Sequence, residues 1–479
     1  MKQKALVLFT FATILLLSLV KLGQHPLFAW DESRNCINAI EMLRNGDWYN
    51  LHYAGQPDTW NTKPPLFIWC VAASLKMLGF NEFALRLPSA LSIIAAFFIL
   101  FKIITLYRSA TFAALTCLML ASVKGLIGWH VGRTGDFDSL LVFILLASVY
   151  YFLRFVDFDK KWAALCCGLC LGLAFLVKGP AAGVLLPGML AYLIFTKKTK
   201  SLLASKTAWL GAATAIAFPV GWFWVQQAFG NTLTGSPTLS EAPTGTAFER
   251  LFSVDLWYRF TRPMAGWKEA FDFSYLFSSL DKTFNLWHYI FFCLVAYGIF
   301  LFFKNWRQTM TRLFAKRNHL LLLSLCLYLP LAVFLAIAAK STRYYLAPAL
   351  PFVGIATFWG IRHFWNKTVW VKWAFAGLLA FTLGRQFLLF WQVPPRSELV
   401  TRFAPVFAQA ETIVVASPLE QDLLCYLYFF GKKMRFTAPT TVVSSSEVLV
   451  VSKDFLPNQL PPGIEIVAED ELYAVLNKR

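Results

Sequence analysis

Long apolar stretches recur along this chain, and each is long enough to cross a lipid bilayer as a helix. About 20 apolar residues in a helix span roughly 30 Å of hydrocarbon. Hydrophobic residues make up 58% of the sequence and charged residues 15%, and the mean hydropathy is +0.56, which excludes a single water-soluble core of this length. We predict an all-α polytopic membrane protein with about 11 transmembrane helices, at about 5–22, 87–106, 110–128, 139–156, 162–178, 180–196, 207–228, 287–303, 320–339, 344–361 and 370–391.

A shorter apolar run at 66–79 decides the topology, because counting it as a crossing would invert every later loop. Pro64 and Pro65 open this run and Lys76 lies near its end, which favours a helix lying in the membrane interface. With that choice the lysines and arginines of the short links fall on one side, which the positive-inside rule makes cytoplasmic. The prediction is a multi-pass protein of the bacterial cytoplasmic (inner) membrane with its N-terminus inside and its C-terminus outside.

The charges are distributed unevenly between the two sides. The formal net charge of +18 lies in the membrane body, since residues 392–479 are nearly balanced. Basic links beside an anionic inner leaflet explain that excess, so we expect no nucleic-acid partner. Before position 392, every acidic residue except Asp157 and Asp159 falls on the predicted outer side. Acids contribute little to the positive-inside rule, so the asymmetry indicates that the outer face carries the function.

Two domains are predicted. Residues 1–391 form the membrane domain, with long outer loops at about 23–86 and 229–286, and residues 392–479 form a small soluble extracytoplasmic α/β domain. In the first loop, Asp31 or Ser33 can cap a helix that ends near Asn45 and Gly46. In the tail, alternating apolar residues predict strands at 412–416, 433–437 and 448–452, a helix at 419–430 and a last element at 471–477.

Polar residues of five separate links are predicted to converge at the outer ends of the membrane helices. Arginine gives bidentate contacts to phosphate and lysine gives a point charge, so cations beside apolar helices suit an anionic lipid headgroup. Carboxylates among them suit an acceptor that must lose a proton, or a divalent ion. The members of this cluster are Asp31, Arg34, Lys63, Arg133, Asp136, Asp138, Lys178, Lys340 and Tyr345.

An ordered set of motifs runs through these links. The motifs are Asp31-Glu32-Ser33-Arg34, Glu41 to Trp48, Lys63-Pro64-Pro65, Asn81 to Pro88, Arg133 to Asp138 and Lys178-Gly179-Pro180. Together they resemble the C-type membrane glycosyltransferases, specifically the branch that contains the lipid A aminoarabinose transferases and the protein O-mannosyltransferases. The resemblance covers roughly 25–390, and the tail matches only in position and general character.

The resemblance implies an enzyme that takes a sugar from a polyprenyl-phosphate carrier at the outer face. The sugar would pass to a lipid, glycan or protein acceptor with inversion at the anomeric carbon. By the same resemblance, Arg34 and Lys63 would hold the carrier phosphate, and Asp31 would face the acceptor as a base or orienting group.

The remaining roles also follow from the resemblance. Asp138 would support the site, and Tyr345 and Lys340 would line its cavity. Asp136 competes with Asp138 for the matched position, and Asp138 is favoured because it directly precedes the next apolar span.

Metal binding is where the sequence departs from its relatives. Aminoarabinose transferases carry a Glu immediately before the matched lysine and a His in the second long loop, a pair that can hold a metal. Here those positions are Thr62 and Leu256. Asp255 and Glu32 stay open as ligands of a divalent cation, but we predict a site without metal or other cofactor.

Each candidate residue also has a simpler structural explanation. Asp31 could be a helix cap, Lys63 could extend from an interfacial helix to the lipid headgroups, and Arg133 and Asp138 could form an ion pair between spans. The Lys178-Gly179-Pro180 motif could be only a turn. His130 and His288 lie at outer helix ends, where a polar anchor is the expected role.

The alternative function is a secondary transporter or flippase of a polyprenyl-linked glycan. Transporters place ionisable groups near the midplane on broken helices and often contain paired repeats. This chain shows no internal repeat, and its charges fall at the outer helix ends. The pattern therefore favours an enzyme that acts on a membrane-embedded substrate.

Overall fold

The computed structural model of the protein describes residues 2–58, 60–229, 274–338, 342–365, 367–395, 400–401, 404–437, 444–456, 460, 462–469 and 471–478. Most of these residues are helical. The α-helices are α1 Lys2–Leu19, α2 Asp31–Asn45, α3 Leu66–Leu78, α4 Glu82–Thr105, α5 Ala110–Ala121, α6 Asp138–Val156, α7 Trp162–Lys178, α8 Leu186–Phe195, α9 Thr199–Leu203, α10 Lys206–Phe229, α11 Ser274–Phe284, α12 Trp287–Lys304, α13 Trp306–Phe314, α14 His319–Ile337, α15 Leu350–Trp365, α16 Val369–Trp391, α17 Ala404–Gln409 and α18 Gln421–Phe429.

The predicted spans all contain a helix, but the helices differ in length. In the described part of the chain, eight helices are long and apolar enough to cross a membrane. α5, α8 and α15 have 12, 10 and 16 residues, and a 12-residue helix rises only about 18 Å. Short 3-10 helices at Gly179–Gly183 and Arg343–Leu346 precede α8 and α15. The helical membrane fold is confirmed, whereas the count of 11 spans stays a prediction.

α3 occupies the apolar run at 66–79. It has 13 residues and rises about 20 Å, which is short for a full crossing. Its interfacial position stays a prediction, as does the orientation of the termini.

α7, which ends at the site residue Lys178, approaches α10 very closely. A Cβ atom on Gly168 of α7 would lie 1.9 Å from the carbonyl oxygen of Gly211 of α10. A Cβ on Gly211 would lie 2.3 Å from the carbonyl oxygen of Ala164. Small residues allow this backbone contact in a membrane, where packing rather than water exclusion drives helix association. The contact fixes α7, which ends at Lys178.

α2 lies in the first loop and ends as predicted. Gly46 adopts a φ of +71° and donates its N–H to the Met42 carbonyl, a helix end that favours glycine. Ile37 and Ile40 are fully buried and Leu43 is half-buried, so these three residues form the apolar face of the helix.

The start of α2 differs from the prediction. Asp31 is the first helical residue, and Trp30 precedes it without a side-chain capping hydrogen bond. Ser33 Oγ donates instead to the Phe28 carbonyl at 2.6 Å. Neither Asp31 nor Ser33 is the cap, so capping does not account for the Asp31 carboxylate.

The tail forms a small α/β domain, as predicted. Its strands are β3 Thr412–Val415, β4 Lys433–Phe436, β5 Glu447–Ser452, β6 Ile464–Glu469 and β7 Tyr473–Lys478, while β1 His52–Tyr53 and β2 Gln56–Pro57 form a hairpin in the first loop. The five-stranded sheet has the order β4-β3-β5-β7-β6, with β3 parallel to β4 and β5, and β7 antiparallel to β5 and β6. The edge strand β6 was not predicted, and its residues Ile466 and Val467 are 43% and 37% exposed.

The tail domain docks on the first loop through α18. The Tyr428 hydroxyl donates to the Glu41 carboxylate, and the Tyr426 hydroxyl donates to Glu82 at 3.2 Å. Burial raises the pKa of Glu41. Through these contacts the tail packs against the first loop and the start of α4, and the boundary at 391/392 stays a prediction.

Candidate functional site

A network of amide side chains joins three segments at the start of α2. Asn35 Nδ2 donates to the Gly135 carbonyl at 2.8 Å. Asn61 Nδ2 donates to Asn38 Oδ1 at 2.9 Å, and Asn38 Nδ2 donates to Asp58 at 2.9 Å. These bonds tie the 58–63 segment and the 133–138 segment to one helix, so their functional side chains are placed by a rigid, buried scaffold.

Glu32 belongs to that scaffold. Its carboxylate accepts two hydrogen bonds from Arg86, at 2.7 and 2.8 Å, and another from the Gly135 backbone N–H at 3.0 Å. Arg86 also donates to the carbonyls of Leu22 and His25. Both side chains are almost fully buried. These hydrogen bonds hold the fold together. Because both oxygens of the Glu32 carboxylate accept them, Glu32 is not placed to bind a metal.

Arg34, predicted to hold phosphate, pairs with a buried acid. Its Nε and Nη2 donate to the two oxygens of Asp58 at 2.8 and 2.6 Å, and its guanidinium lies over the Tyr53 ring at 4.3 Å. Burial disfavours the charged form of Asp58, but the hydrogen bonds from Arg34 hold its pKa below the usual range. Any phosphate would have to share Arg34 with Asp58.

Arg133, also predicted to bind substrate, caps the end of α1 instead. Its Nη1 and Nη2 donate to the carbonyls of Leu17 and Val20 at 2.7 and 2.6 Å, and the Phe390 ring lies 4.1 Å from the guanidinium. Burial lowers its pKa to about 9. A cation at a helix C-terminus satisfies carbonyls that lack partners. Arg133 therefore anchors the 133–138 segment to the end of α1.

Lys178 and Asp138 form a direct pair where two helices meet. Lys178 ends α7 and Asp138 begins α6, and their Nζ and Oδ1 atoms lie 2.6 Å apart. Lys178 Nζ also lies 5.4 Å from the centre of the Tyr345 ring. Three of the predicted residues therefore come together, and the carboxylate of Asp138 is committed to orienting the lysine.

A second group contains both remaining acids. His130 Nε2 lies 3.8 Å from Asp31, and His130 Nδ1 lies 3.7 Å from Asp136. The Tyr344 ring stacks on His130 at 4.1 Å. The Asp31 side chain is 50% exposed, whereas the Asp136 side chain is 5% exposed.

Burial raises the pKa of Asp136 to about 7, with His130 opposing the rise and Asp31 adding to it. Thr134 Oγ1 donates to Asp136 at 2.6 Å. Asp31 also acts electrostatically on Lys178. The accessible carboxylate of the site is therefore Asp31, and Asp136 is its buried neighbour.

Lys63 lies beside these groups. Its Nζ is 5.1 Å from the centre of the Phe137 ring and 3.4 Å from Asn61 Oδ1, so the predicted lysine of the first loop adjoins the 136–138 segment. Lys340, Asp255 and Leu256 lie outside the described residues, as does most of the loop at 229–286.

His130 was expected to be a polar anchor at a helix end. The structure places it nine residues beyond the end of α5, beside Asp31 and Asp136. Its backbone φ is +71°, and Trp30, next to Asp31, has a φ of +73°. Such conformations are strained for residues other than glycine and concentrate at functional sites. These two positive φ angles cannot be predicted from the sequence, because neither histidine nor tryptophan is a residue type that favours a positive φ.

The same group offers a possible cation site. Asp31, His130 and Asp136 each present one ligand atom, and these atoms lie within 4.8 Å of one another. An imidazole with two carboxylates suits a divalent transition metal. Asp136 would have to lose its proton to bind, and the prediction of a site without metal stays open.

A long helical membrane body with paired charges at one set of helix ends and a small α/β tail defines the class: a polytopic membrane protein of the C-type glycosyltransferase fold. The protein ArnT of Cupriavidus metallidurans, solved with bound undecaprenyl phosphate, superposes with a TM-score of 0.72 over 98% of this chain and 97% of that chain, at 18% identity.

Sequence comparisons point to the same family. The profile of the dolichyl-phosphate-mannose-protein mannosyltransferases matches residues 62–224. The undecaprenyl phosphate-alpha-4-amino-4-deoxy-L-arabinose arabinosyl transferase of Pseudomonas savastanoi pv. phaseolicola is 28% identical over 43% of this chain and 39% of its own length. The Pseudomonas aeruginosa PAO1 protein of the same name is 29% identical over 42% of this chain and 37% of its own length.

These findings confirm the resemblance to the C-type membrane glycosyltransferases and the fold class. The aligned segments span about two fifths of the curated relatives. The bacterial relatives and the apolar helices support a multi-pass protein of the bacterial inner membrane.

Proposed function

We propose that this protein is a membrane glycosyltransferase that moves a sugar from a polyprenyl-phosphate carrier to a lipid, glycan or protein acceptor at the extracytoplasmic face. The observation that carries the proposal is an exposed carboxylate, Asp31, that acts electrostatically on a fixed cation, Lys178, in a fold shared with a protein solved with undecaprenyl phosphate.

Asp31 takes the proton of the acceptor hydroxyl or amine. The acceptor atom bonds to the anomeric carbon while the bond from that carbon to the carrier phosphate oxygen breaks, which inverts the configuration. A carboxylate is suited to this work because it can accept a proton, and the side chain of Asp31 is 50% exposed.

Lys178 and Lys63 stabilise the negative charge of the departing phosphate. Arg34 contributes through the part of its guanidinium that does not donate to Asp58. A phosphate is already a good leaving group, so positioning and charge neutralisation supply most of the rate. Asp138 acts as a positioning residue that holds Lys178, and Tyr345 lines the same space.

The transporter alternative predicts a different placement of charges. The described ion pairs of the membrane body lie where helices begin or end, as at the starts of α2 and α6 and the end of α7. Charges on broken helices near the midplane would favour transport.

Purified full-length protein in liposomes, supplied with polyprenyl-phosphate sugars and a mixture of envelope acceptors, tests the proposal. The expected result is a glycosylated acceptor and free polyprenyl phosphate, both detected by mass spectrometry. Movement of intact lipid-linked sugar across the bilayer without release of the carrier would support the transporter instead.

A further inference from the structure

A second polar site lies at the opposite ends of the same helices. A cavity of about 410 Å³ opens where α6 ends, α7 begins and α9 leads into α10. α6 has 19 residues and rises about 28 Å from Asp138 to Val156, nearly one hydrocarbon thickness. The cavity is therefore separated from the candidate active site by the width of the membrane.

The cavity is lined by lysines and hydroxyl groups. The polar residues of its wall are Lys161, Lys198, Lys206, Ser201, Ser205 and Thr207. Asp159 is the acidic residue of the wall, so the cations outnumber the carboxylate.

One of the three lysines is fixed by the fold. Lys198 Nζ donates to Asp157 at 2.7 Å and to the Val156 carbonyl at 2.6 Å. Asp157 also accepts a hydrogen bond from the Tyr192 hydroxyl. The charge of Lys198 is thus largely balanced, and the excess positive charge of the cavity comes from Lys161 and Lys206.

Lys161 and Lys206 form no ion pair with an acid in the described ranges. Both are exposed. Hydroxyl donors beside two unpaired lysines match the oxygens of a phosphate group, which accepts several hydrogen bonds and carries negative charge.

Exposed aromatic residues mark the depth of the cavity. Trp162 follows Lys161 and is 53% exposed, and Trp209 lies one turn beyond Lys206 and is 60% exposed. Tryptophan concentrates at the headgroup level of a bilayer. Leu203 and Leu210 are exposed beside them, an apolar surface that suits acyl chains.

We propose that this cavity binds the phosphate headgroup of an anionic phospholipid, on the face that the lysine and arginine distribution predicts to be cytoplasmic. The lipid phosphate would lie among Lys161, Lys206 and the hydroxyls, with its acyl chains along Leu203 and Leu210. An anionic lipid at this position would connect the link at 157–161 to the start of α10 and hold α7 and α10 together.

The test uses the purified full-length protein in phosphatidylcholine nanodiscs, with phosphatidylglycerol as the titrated lipid and thermal unfolding as the readout. Lys161→Gln with Lys206→Gln is the test variant. Lys160→Gln with Lys200→Gln is the matched control, because it removes two basic charges from the same links but from outside the cavity wall.

The expected result is a phosphatidylglycerol-dependent rise in melting temperature in the wild type and in the control. In the test variant the half-saturating fraction of phosphatidylglycerol should increase about 30-fold, at about fivefold per lysine. Lys161→Arg with Lys206→Arg should restore the wild-type response, since it restores both charges.

Equal losses in the test and control variants would overturn the proposal, because they would show only general attraction between a basic surface and an anionic bilayer. Stabilisation by inorganic phosphate alone, to the same extent as by the lipid, would also overturn it in favour of an ion site. If the double glutamine variant does not fold, Ser201→Ala with Thr207→Ala removes donors at unchanged charge and should weaken the same response.

Discussion

The two adjacent acids at the start of α2 have opposite environments. Glu32 is buried in an ion pair with Arg86 and also accepts hydrogen bonds from two backbone N–H groups, whereas Asp31 is half exposed beside His130. Their difference separates a structural layer, which includes Glu32–Arg86 and Arg34–Asp58, from an accessible layer, which is the exposed Asp31 with the largely buried Asp136 and Lys178 that interact with it. Charged residues in one motif therefore do not share one role, since Glu32 is buried and paired whereas Asp31 is exposed.

The largest expected effect comes from breaking the structural layer. Glu32→Gln leaves the Arg86 charge buried without its partner, which should cost about 3–5 kcal/mol of stability. The measurement is thermal unfolding in detergent, with Asp47→Asn, a half-buried acid of the same loop, as the control. A melting temperature equal to that of the wild type would contradict a structural role for Glu32.

Breaking the accessible layer should change activity more than stability. Lys178→Met removes a cation from the departing phosphate and should reduce sugar transfer by about 10²-fold or more. Lys178→Arg keeps the charge and should recover part of the loss. Initial rates over a range of donor concentrations measure both variants, and an unchanged rate in Lys178→Met would remove this lysine from the site.

A smaller effect concerns the pH dependence of stability. The pKa of Asp136 is about 7 in the folded protein and about 4 in an unfolded chain. The folded state binds this proton more tightly, so stability decreases as pH rises from about 4 through about 7. Asp136→Asn removes that loss.

The melting temperature of Asp136→Asn, relative to wild type, should therefore be higher at pH 8 than at pH 5. The protonation of His130 opposes this trend and the charge of Asp31 adds to it. A difference that is constant over this pH range would show that Asp136 is ionised throughout.

The smallest expected effect is that of metal removal. Without a metal, EDTA should change the initial rate of transfer by less than about twofold, since lysines supply the positive charge. A loss that Zn²⁺ or Mn²⁺ restores in the wild type, but not in His130→Ala, would instead assign a cation to Asp31, His130 and Asp136.

The fold was largely predictable from the sequence because its determinants are local. Apolar length predicts membrane helices, Gly46 predicts the end of α2, and alternating apolar residues predict the strands of the tail. The edge strand β6 was not predicted, and two of its apolar residues, Ile466 and Val467, are exposed. The short helices α5 and α8 leave the span count open, since the sequence gives the length of an apolar run but not the length of its helix.

The sequence predicted that several charged residues would lie close together, but it did not predict which residues pair with each other. The convergence of Asp31, Asp138 and Lys178 follows from their common position at helix ends. The bonds of Arg34 to Asp58 and of Arg133 to the end of α1 depend on contacts between residues far apart in the chain. The spacing of residues in the sequence does not predict those partners. It also does not predict that His130 lies beside Asp31 and Asp136.

The most direct test of the central claim is sugar transfer by Asp31→Asn, which removes the accessible carboxylate and leaves the buried pairs intact. Reconstituted in liposomes with a polyprenyl-phosphate sugar that the wild type accepts, the variant should unfold at the wild-type temperature, bind the donor and form no glycosylated product. Asp47→Asn should transfer at the wild-type rate. Full transfer by Asp31→Asn would contradict the assignment of Asp31 as the catalytic base and, with it, the proposed mechanism.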